Sequence, residues 1–429
     1  MSIAGYNYFD RKALMLEARH PDIWKRRRQI PLLSKKVFED YDADFDGKRI
    51  IPFSEVQTIN IPREPQKTVP FNGLLCATSG VGKTSIAKNM VKGFHKAGYK
   101  VLYIDAKSDE MRSAKFKGSK TGYKGGKKRM HPRDKNERLP LAYYVPNYVR
   151  YTLEQNKSRV ISQAKFYSPN IKLLYYPEIW MSLGVTGKAT DLIVGMIKKG
   201  RSNLKSLGNA ISRNRKLSYM TKNASLAAIQ NLQRTGFFDT PKTLNLAEEW
   251  DEGNVVVISY HNQTGSMMNT DIGLILNQVR DHSTTEKKTT PKLIVFDDAS
   301  LYAGFIATGS SFKYGDNLAI KNIMNCQSNC RIWGINTLFI TQSPDSAFIY
   351  PALIDGCTVQ IIGYTKNPSS FINRIPRPAF TLLLNTITGK GEGLYIDGDS
   401  HTYEFILVKG DMKWGTGFPF EATVGHRHS

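Results

Sequence analysis

The sequence predicts an α/β fold: a parallel sheet flanked by helices and interrupted by a largely helical, basic insertion. Three observations carry that expectation. Short apolar runs recur at Phe71–Cys76, Val101–Asp105, Asn254–Tyr260, Lys292–Phe296 and Thr337–Thr341, as buried parallel strands should. Between some of them the apolar spacing changes to that of a helix, as in Ile86, Ala87, Met90, Val91 and Phe94 and again over Asp271–Arg280. The third is a long stretch, residues 111–245, in which the strand pattern gives way to basic, helix-spaced sequence.

Along the chain, residues 1–65 are polar and basic, with the run Lys25–Arg28 and several prolines, and read as a partly helical accessory segment. Phe71–Cys76 enters a glycine-containing turn, a helix runs from Thr84 to Lys96, and Val101–Asp105 follows. Strand, loop, helix and strand in that order open a parallel α/β sheet. Residues 115–129 hold seven basic residues, four glycines and no acid. Such a segment has almost nothing to bury and is expected as a mobile loop. Residues 192–238 contain nine Lys and Arg and no Asp or Glu; Leu204, Leu207 and Ile211, then Leu226, Ile229 and Leu232, give them helical apolar faces. The sheet then resumes through Asn254–Tyr260, Lys292–Phe296, Thr337–Thr341 and a further strand at 359–362. The expected domains are a segment at 1–65, one α/β domain over 66–412 containing the insertion at about 111–245, and a tail at 413–429.

Composition narrows the function. The 429 residues include 60 Lys and Arg against 37 Asp and Glu, a net charge of +23, which favours polyanionic partners. No run reaches the roughly 18–20 apolar residues that cross a bilayer, and Met1–Phe9 lacks a secretory pattern. The expectation is a soluble protein of the cytoplasm, or of the host cytoplasm if viral. Cys76, Cys326, Cys330 and Cys357 are too few for a disulfide framework in a chain of this length. Cys326 and Cys330 lack further ligands nearby for zinc, so packing is their expected role.

Ala77–Thr84 reads ATSGVGKT. It matches the phosphate-binding pattern G-x-x-x-x-G-K-[ST] except that Ala77 stands for the first glycine. Backbone N–H groups of such a loop crowd round phosphate oxygens, and the following helix N-terminus adds partial positive charge. Ala77, Thr78, Ser79, Gly80, Val81, Gly82, Lys83, Thr84 and Ser85 are therefore the expected nucleotide-binding residues. Lys83 is expected to neutralise the β- and γ-phosphates of ATP, and Thr84 to offer its hydroxyl to Mg²⁺. After the strand Lys292–Phe296 come Asp297, expected to hold the Mg²⁺ shell, and Asp298, expected to polarise the attacking water. Gln342, after Thr337–Thr341, has a neutral side chain suited to sensing the γ-phosphate or orienting that water. Paired acids at a strand end separate ATP hydrolases from most small-molecule kinases.

Taken together, LLCATSGVGKT, VLYIDAKSDE, GNVVVISYHN, LIVFDDAS and RIWGINTLFITQSP resemble the HerA/FtsK superfamily of DNA-pumping ATPases, over roughly residues 66–110 and 246–412. The resemblance implies a RecA-like P-loop sheet, ATP and Mg²⁺ as cofactors, double-stranded DNA as substrate and a homo-oligomeric ring, a hexamer. It also implies that Arg331, before the sensor strand, acts as a finger in a neighbour's ATP site; a surface or DNA-contacting arginine is the other reading, and Arg374 and Arg377 are further candidates. Asp105 and Lys107 match the family's stretch after its second strand, where pairing with each other and capping the strand is the simple role. Two residues depart from the family: Ala77, which should slightly crowd the loop, and Asp298, one methylene shorter than the usual Glu. The absence of N-terminal spans favours a viral or mobile-element packaging motor, with a portal, capsid or nuclease partner, or an end-processing motor. Lys115, Lys117, Lys120, Lys124, Lys127, Lys128 and Arg129 are the expected phosphate-backbone contacts, with Lys198–Lys216 as the alternative grip. Two other functions stay open: a nucleic-acid-binding scaffold with a degenerate ATP site, and a P-loop kinase with a small acceptor.

Overall fold

The computed structural model describes residues 50–52, 58–60, 71–79, 83–107, 140–155, 164–169, 174, 176–199, 203–238, 242–261, 265–286, 289–303, 317–344, 349–365, 368–371, 375, 392–397 and 402–407. A short antiparallel pair, β1 (Ile50–Pro52) and β2 (Thr58–Asn60), precedes the main sheet. The sheet is built from β3 (Asn72–Cys76), β4 (Lys100–Asp105), β5 (Leu141–Pro146), β6 (Lys165–Tyr167), β7 (Val255–Ser259), β8 (Lys292–Asp297), β9 (Ile335–Thr341), β10 (Val359–Gly363), β11 (Glu392–Asp397) and β12 (Thr402–Leu407). Its spatial order is β12-β11-β10-β3-β9-β8-β4-β7-β5-β6. From β10 to β6 every neighbouring pair is parallel; β11 and β12 close one edge as an antiparallel hairpin.

The strands alternate between two cores, as a period of two requires. Leu75, Val101, Tyr103, Val257, Val295, Leu338 and Ile340 face one way. They meet Ile86, Met90, Val91 and Phe94 of helix α1 (Lys83–Lys96) and Val149 and Leu153 of α2 (Asn147–Gln155). Leu74, Leu102, Ile104, Val256, Ile258, Ile294, Phe296 and Phe339 face the other way, where Phe296 and Phe339 stack at 5.0 Å. Burial on both faces explains why these strands read as unbroken apolar runs.

Residues 111–245 do two things. As the spacing indicated, they form helices α3 (Pro177–Ser182), α4 (Gly187–Lys198), α5 (Leu204–Arg213) and α6 (Tyr219–Arg234). Leu204, Leu207, Ile211, Ile229 and Leu232 are buried there around Trp180 and Phe237. They also supply β5 and β6, which extend the sheet beyond β7, so the segment is partly sheet as well as helix. Leu141–Pro146 carries the apolar, aromatic content of a strand, with all but Leu141 buried. α7 (Leu246–Asp251) then leads back into β7.

The second core is closed by α8 (Ser266–Thr285) and α10 (Leu318–Ser328), with the short α9 (Ser300–Ala303) between them in sequence. Gly273 lets α8 and α10 approach: a Cβ there would sit 2.4 Å from Leu318 Cγ. α11 (Cys330–Trp333) precedes β9, and α12 (Pro351–Asp355) precedes β10. All four cysteines are buried and none forms a disulfide, in keeping with packing. Among the described residues no helix is long and apolar enough to cross a membrane. Residues 111–139, with all seven basic residues of the expected backbone grip, lie outside the described residues, as do the tail at 413–429, Lys25–Arg28, Arg374, Arg377 and Gly80–Gly82.

Candidate nucleotide site

The site lies along the carboxyl ends of the central strands, and the register places it there. Cys76 pairs with Thr341, Asp105 with Asp297 on one side and with Ser259 on the other. Phe296 pairs with Phe339, which sets Asp297 beside Ile340. The ends of β3, β9, β8, β4 and β7 therefore form one row. The sensor strand β9 separates the phosphate-loop strand β3 from the acid strand β8, so Gln342 emerges between the loop and the acids.

The phosphate loop is tied down at its first residues. Ala77 N–H donates to Thr341 O at 3.3 Å, and Thr78 donates to Tyr364 O through its N–H (2.9 Å) and its hydroxyl (3.1 Å). Ala77 is buried and does not adopt a positive φ, so its backbone does not demand the glycine that the family pattern has there. Lys83 opens α1, a helix with no acidic residue in its first turn to repel an anion. Its ammonium donates to the loop's own carbonyls, Ala77 O at 2.7 Å and Thr78 O at 3.0 Å. Burial pulls the Lys83 pKa down; the nearby charges of Asp298 and Asp297 work against that. Thr84 is half-buried beside it.

The two acids are held differently. Asp297 is 3% exposed; its Oδ2 accepts from Tyr103 Oη at 2.8 Å and its Oδ1 accepts from Asp298 N–H at 2.9 Å. Asp298 has φ 47°, a left-handed conformation that non-glycine residues adopt rarely and usually where function or a turn requires it. Its Oδ1 accepts from Lys107 Nζ at 2.6 Å. Asp105 is fully buried and accepts Lys107 N–H at 3.1 Å and Ser259 Oγ at 3.3 Å. Lys107 thus caps the strand end through its backbone, as expected, but its ammonium pairs with Asp298 rather than with Asp105. Tyr103 and Lys107 are site residues that sequence reasoning left without a role in the chemistry. Their signal was position: Tyr103 lies two residues before Asp105 on the strand beside the acid strand.

Asp297 and the Thr84 hydroxyl suit Mg²⁺, which takes hard oxygen ligands and is held by one or two carboxylates together with substrate phosphates. Among the described residues no group of three or more His, Cys, Asp or Glu forms a metal cage, and Mg²⁺ bound with a nucleotide needs none.

Arg331 lies apart. It is exposed on α11, before β9, at the amino end of that strand. β9 spans seven residues, roughly 20 Å at about 3.3 Å per residue, so Arg331 and the chain's own phosphate loop sit at opposite ends of the sheet. The glycine after it fits the Gly-Ile turn: Gly334 has φ 64°, and a Cβ there would meet Thr289 at 2.8 Å.

Comparison with known proteins gives the fold an external check. No protein-family model and no curated protein sequence matches the chain. Among solved structures, the bacterial conjugative coupling protein TrwBdeltaN70 in its sulphate complex superposes with a TM-score of 0.55 at 9% identity, covering 90% of this chain and 96% of that one. VirB4 of Thermoanaerobacter pseudethanolicus gives 0.55 at 13% identity, covering 87% and 99%. TrwB in complex with ADP and Mg²⁺ gives 0.53 at 9% identity, covering 90% and 96%. The chain therefore shares the fold of TrwB and VirB4, a RecA-like P-loop sheet as the sequence predicts.

Proposed function

We propose that this protein hydrolyses ATP and uses the energy to translocate or package double-stranded DNA. The observation that carries the hydrolysis is the convergence, along one row of strand ends, of Lys83, the paired acids Asp297 and Asp298, and the sensor position Gln342. Lys83 neutralises phosphate charge, and the loop's N–H groups with the α1 N-terminus cradle the oxygens. Asp297, oriented by Tyr103, and Thr84 would hold Mg²⁺, which would supply positive charge to offset the charge developing on the phosphates. Asp298 accepts the proton of the attacking water as its oxygen bonds to the γ-phosphorus. The bond from γ-phosphorus to the bridging oxygen breaks, and ADP and phosphate leave. Gln342 orients the water.

DNA as the substrate is supported by the net charge of +23 and by exposed Lys198, Lys199, Lys205, Arg213, Arg215 and Lys216 on the helical layer. Phosphate contact of this kind carries no sequence information, which suits a motor that must move along any sequence. TrwB is by its description a conjugative coupling protein, and a role in moving DNA is carried over from it as analogy. A hexameric ring, in which Arg331 reaches a neighbour's site, accounts for an arginine placed far from its own phosphate loop.

The test is phosphate release by the purified chain with and without duplex DNA, beside Lys83→Ala. Turnover that duplex stimulates and Lys83→Ala abolishes is the expected result. DNA binding with no turnover in the parent chain would favour a scaffold with a degenerate site.

A further inference from the structure

The closest charge pair at the site joins residues from two different strands. Lys107 follows β4, and its ammonium lies 2.6 Å from Asp298 Oδ1 at the end of β8. Asp298 is 9% exposed and Lys107 34%, so the acid is fixed while the lysine keeps a route into open space. The lysine's backbone is anchored, through its N–H, on the fully buried Asp105, and only the flexible side chain is free to change partner. Both groups act on Lys83, Asp298 raising its pKa and Lys107 lowering it, which shows two ammonium groups and the acids within electrostatic reach of one another.

This pair conflicts with the role assigned to Asp298. The Asp298 oxygen that Lys107 occupies at 2.6 Å cannot also meet the attacking water, so a water there requires the pair to part. Lys107 stands beside Asp298 at the end of β8 and acts on Lys83 of the phosphate loop, so a γ-phosphate held by Lys83 would compete for it. A γ-phosphate carries more negative charge than one carboxylate, and it is absent from ADP.

We propose that Lys107 is a second phosphate-site lysine that exchanges Asp298 for the γ-phosphate, so that the water-activating acid is released only when ATP rather than ADP is bound. The inference rests on the ATPase reading above and adds a nucleotide-discriminating residue to it.

The experiment is equilibrium binding of ADP and of a β,γ-imido ATP analogue to the full chain, in the parent, Lys107→Met and Lys107→Arg. Lys107→Met is expected to weaken the ATP analogue by about tenfold, the worth of one charge-assisted contact, to leave ADP nearly unchanged, and to lower turnover. Lys107→Arg should keep most of the preference for the analogue. Because Lys107→Met leaves Asp298 without its counter-ion, the double variant Lys107→Met/Asp298→Asn is measured alongside and should show the same loss of discrimination. Equal weakening of both nucleotides, or of neither, would overturn the proposal and leave Lys107 as a structural counter-ion. Faster turnover with unchanged analogue affinity would also overturn it, making Lys107 a simple clamp. A parent chain that binds neither nucleotide would bring down the ATPase reading together with this one.

Discussion

Two clusters of acid and partner sit at the carboxyl ends of the same sheet and are built on opposite plans. Near the phosphate loop, Asp298 after β8 accepts from the partly exposed ammonium of Lys107, which follows β4, beside Asp297, which accepts from the Tyr103 phenol. Near the helical layer, Asp271 is wholly buried and faces only phenols: Tyr167 Oη at 2.5 Å and Tyr260 Oη at 2.9 Å donate to its Oδ2. Tyr148, whose ring stacks on Phe237 of the helical layer at 5.4 Å, lies within the same field. Burial lifts the Asp271 pKa to about 7, although both tyrosine hydrogen bonds pull it down. The difference is instructive. An acid paired with a flexible, partly exposed cation can exchange partners during a reaction, whereas an acid stripped of water and cations fastens one layer of the fold to another.

The comparison breaks most sharply at the first cluster. If a neighbour completes the site, Arg331→Ala should reduce turnover by on the order of 10³–10⁵, the range found for arginine fingers. Mixing Arg331→Ala chains with Lys83→Ala chains should restore part of it, since one interface then holds both intact residues. A monomeric active species without rescue would return Arg331 to the surface or to DNA contact.

A smaller effect is expected at Tyr103. Its hydroxyl fixes Asp297 Oδ2, and removing a partner that orients a metal ligand typically costs about 10–100-fold in metal affinity or activity. Tyr103→Phe should therefore raise the Mg²⁺ concentration needed for nucleotide binding by about that factor. Binding without Mg²⁺ should change little, which titration at fixed nucleotide would reveal.

The second cluster should act on stability alone. The folded pKa of Asp271, about 7, lies above the ordinary 3.8, so between those values the folded state holds a proton that the unfolded state has lost. Its contribution is complete below about pH 4 and is lost as pH rises through 7, amounting to a few kcal/mol at most. Urea midpoints for the parent and Asp271→Asn at pH 5 and pH 8 would measure this. The parent should lose more between the two pH values than the variant; parallel losses would mean that Asp271 does not titrate there.

The same contrast explains what the sequence made legible. β3, β4, β7, β8, β9 and β10 were readable because each is a short apolar run, and β3, β4, β8 and β9 lead into residues with chemical work to do. α5 and α6 were readable from Leu204, Leu207 and Ile211 and from Ile229 and Leu232. β5 and β6 were not, because they lie inside a basic segment whose composition suggests helices and loops, and because Lys165–Tyr167 is only three residues long. β11 and β12 escaped notice in the same way, lacking a motif to anchor them. At the site, Lys83, Asp297, Asp298 and Gln342 could be named from local pattern. The partnership of Lys107 with Asp298 could not, since the two are 191 residues apart and only the β4–β8 register brings them together. Asp271 carried no motif at all, and its burial depends on three tyrosines from separate elements.

The central claim is that Asp298 activates the water at a site that otherwise binds ATP normally. Asp298→Asn tests it most directly, with nucleotide affinity and phosphate release measured on one preparation. The account predicts that ATP still binds with Mg²⁺ while phosphate release stops. Phosphate release at the parent rate would contradict it and assign proton transfer to another carboxylate, with Asp345 the first to examine.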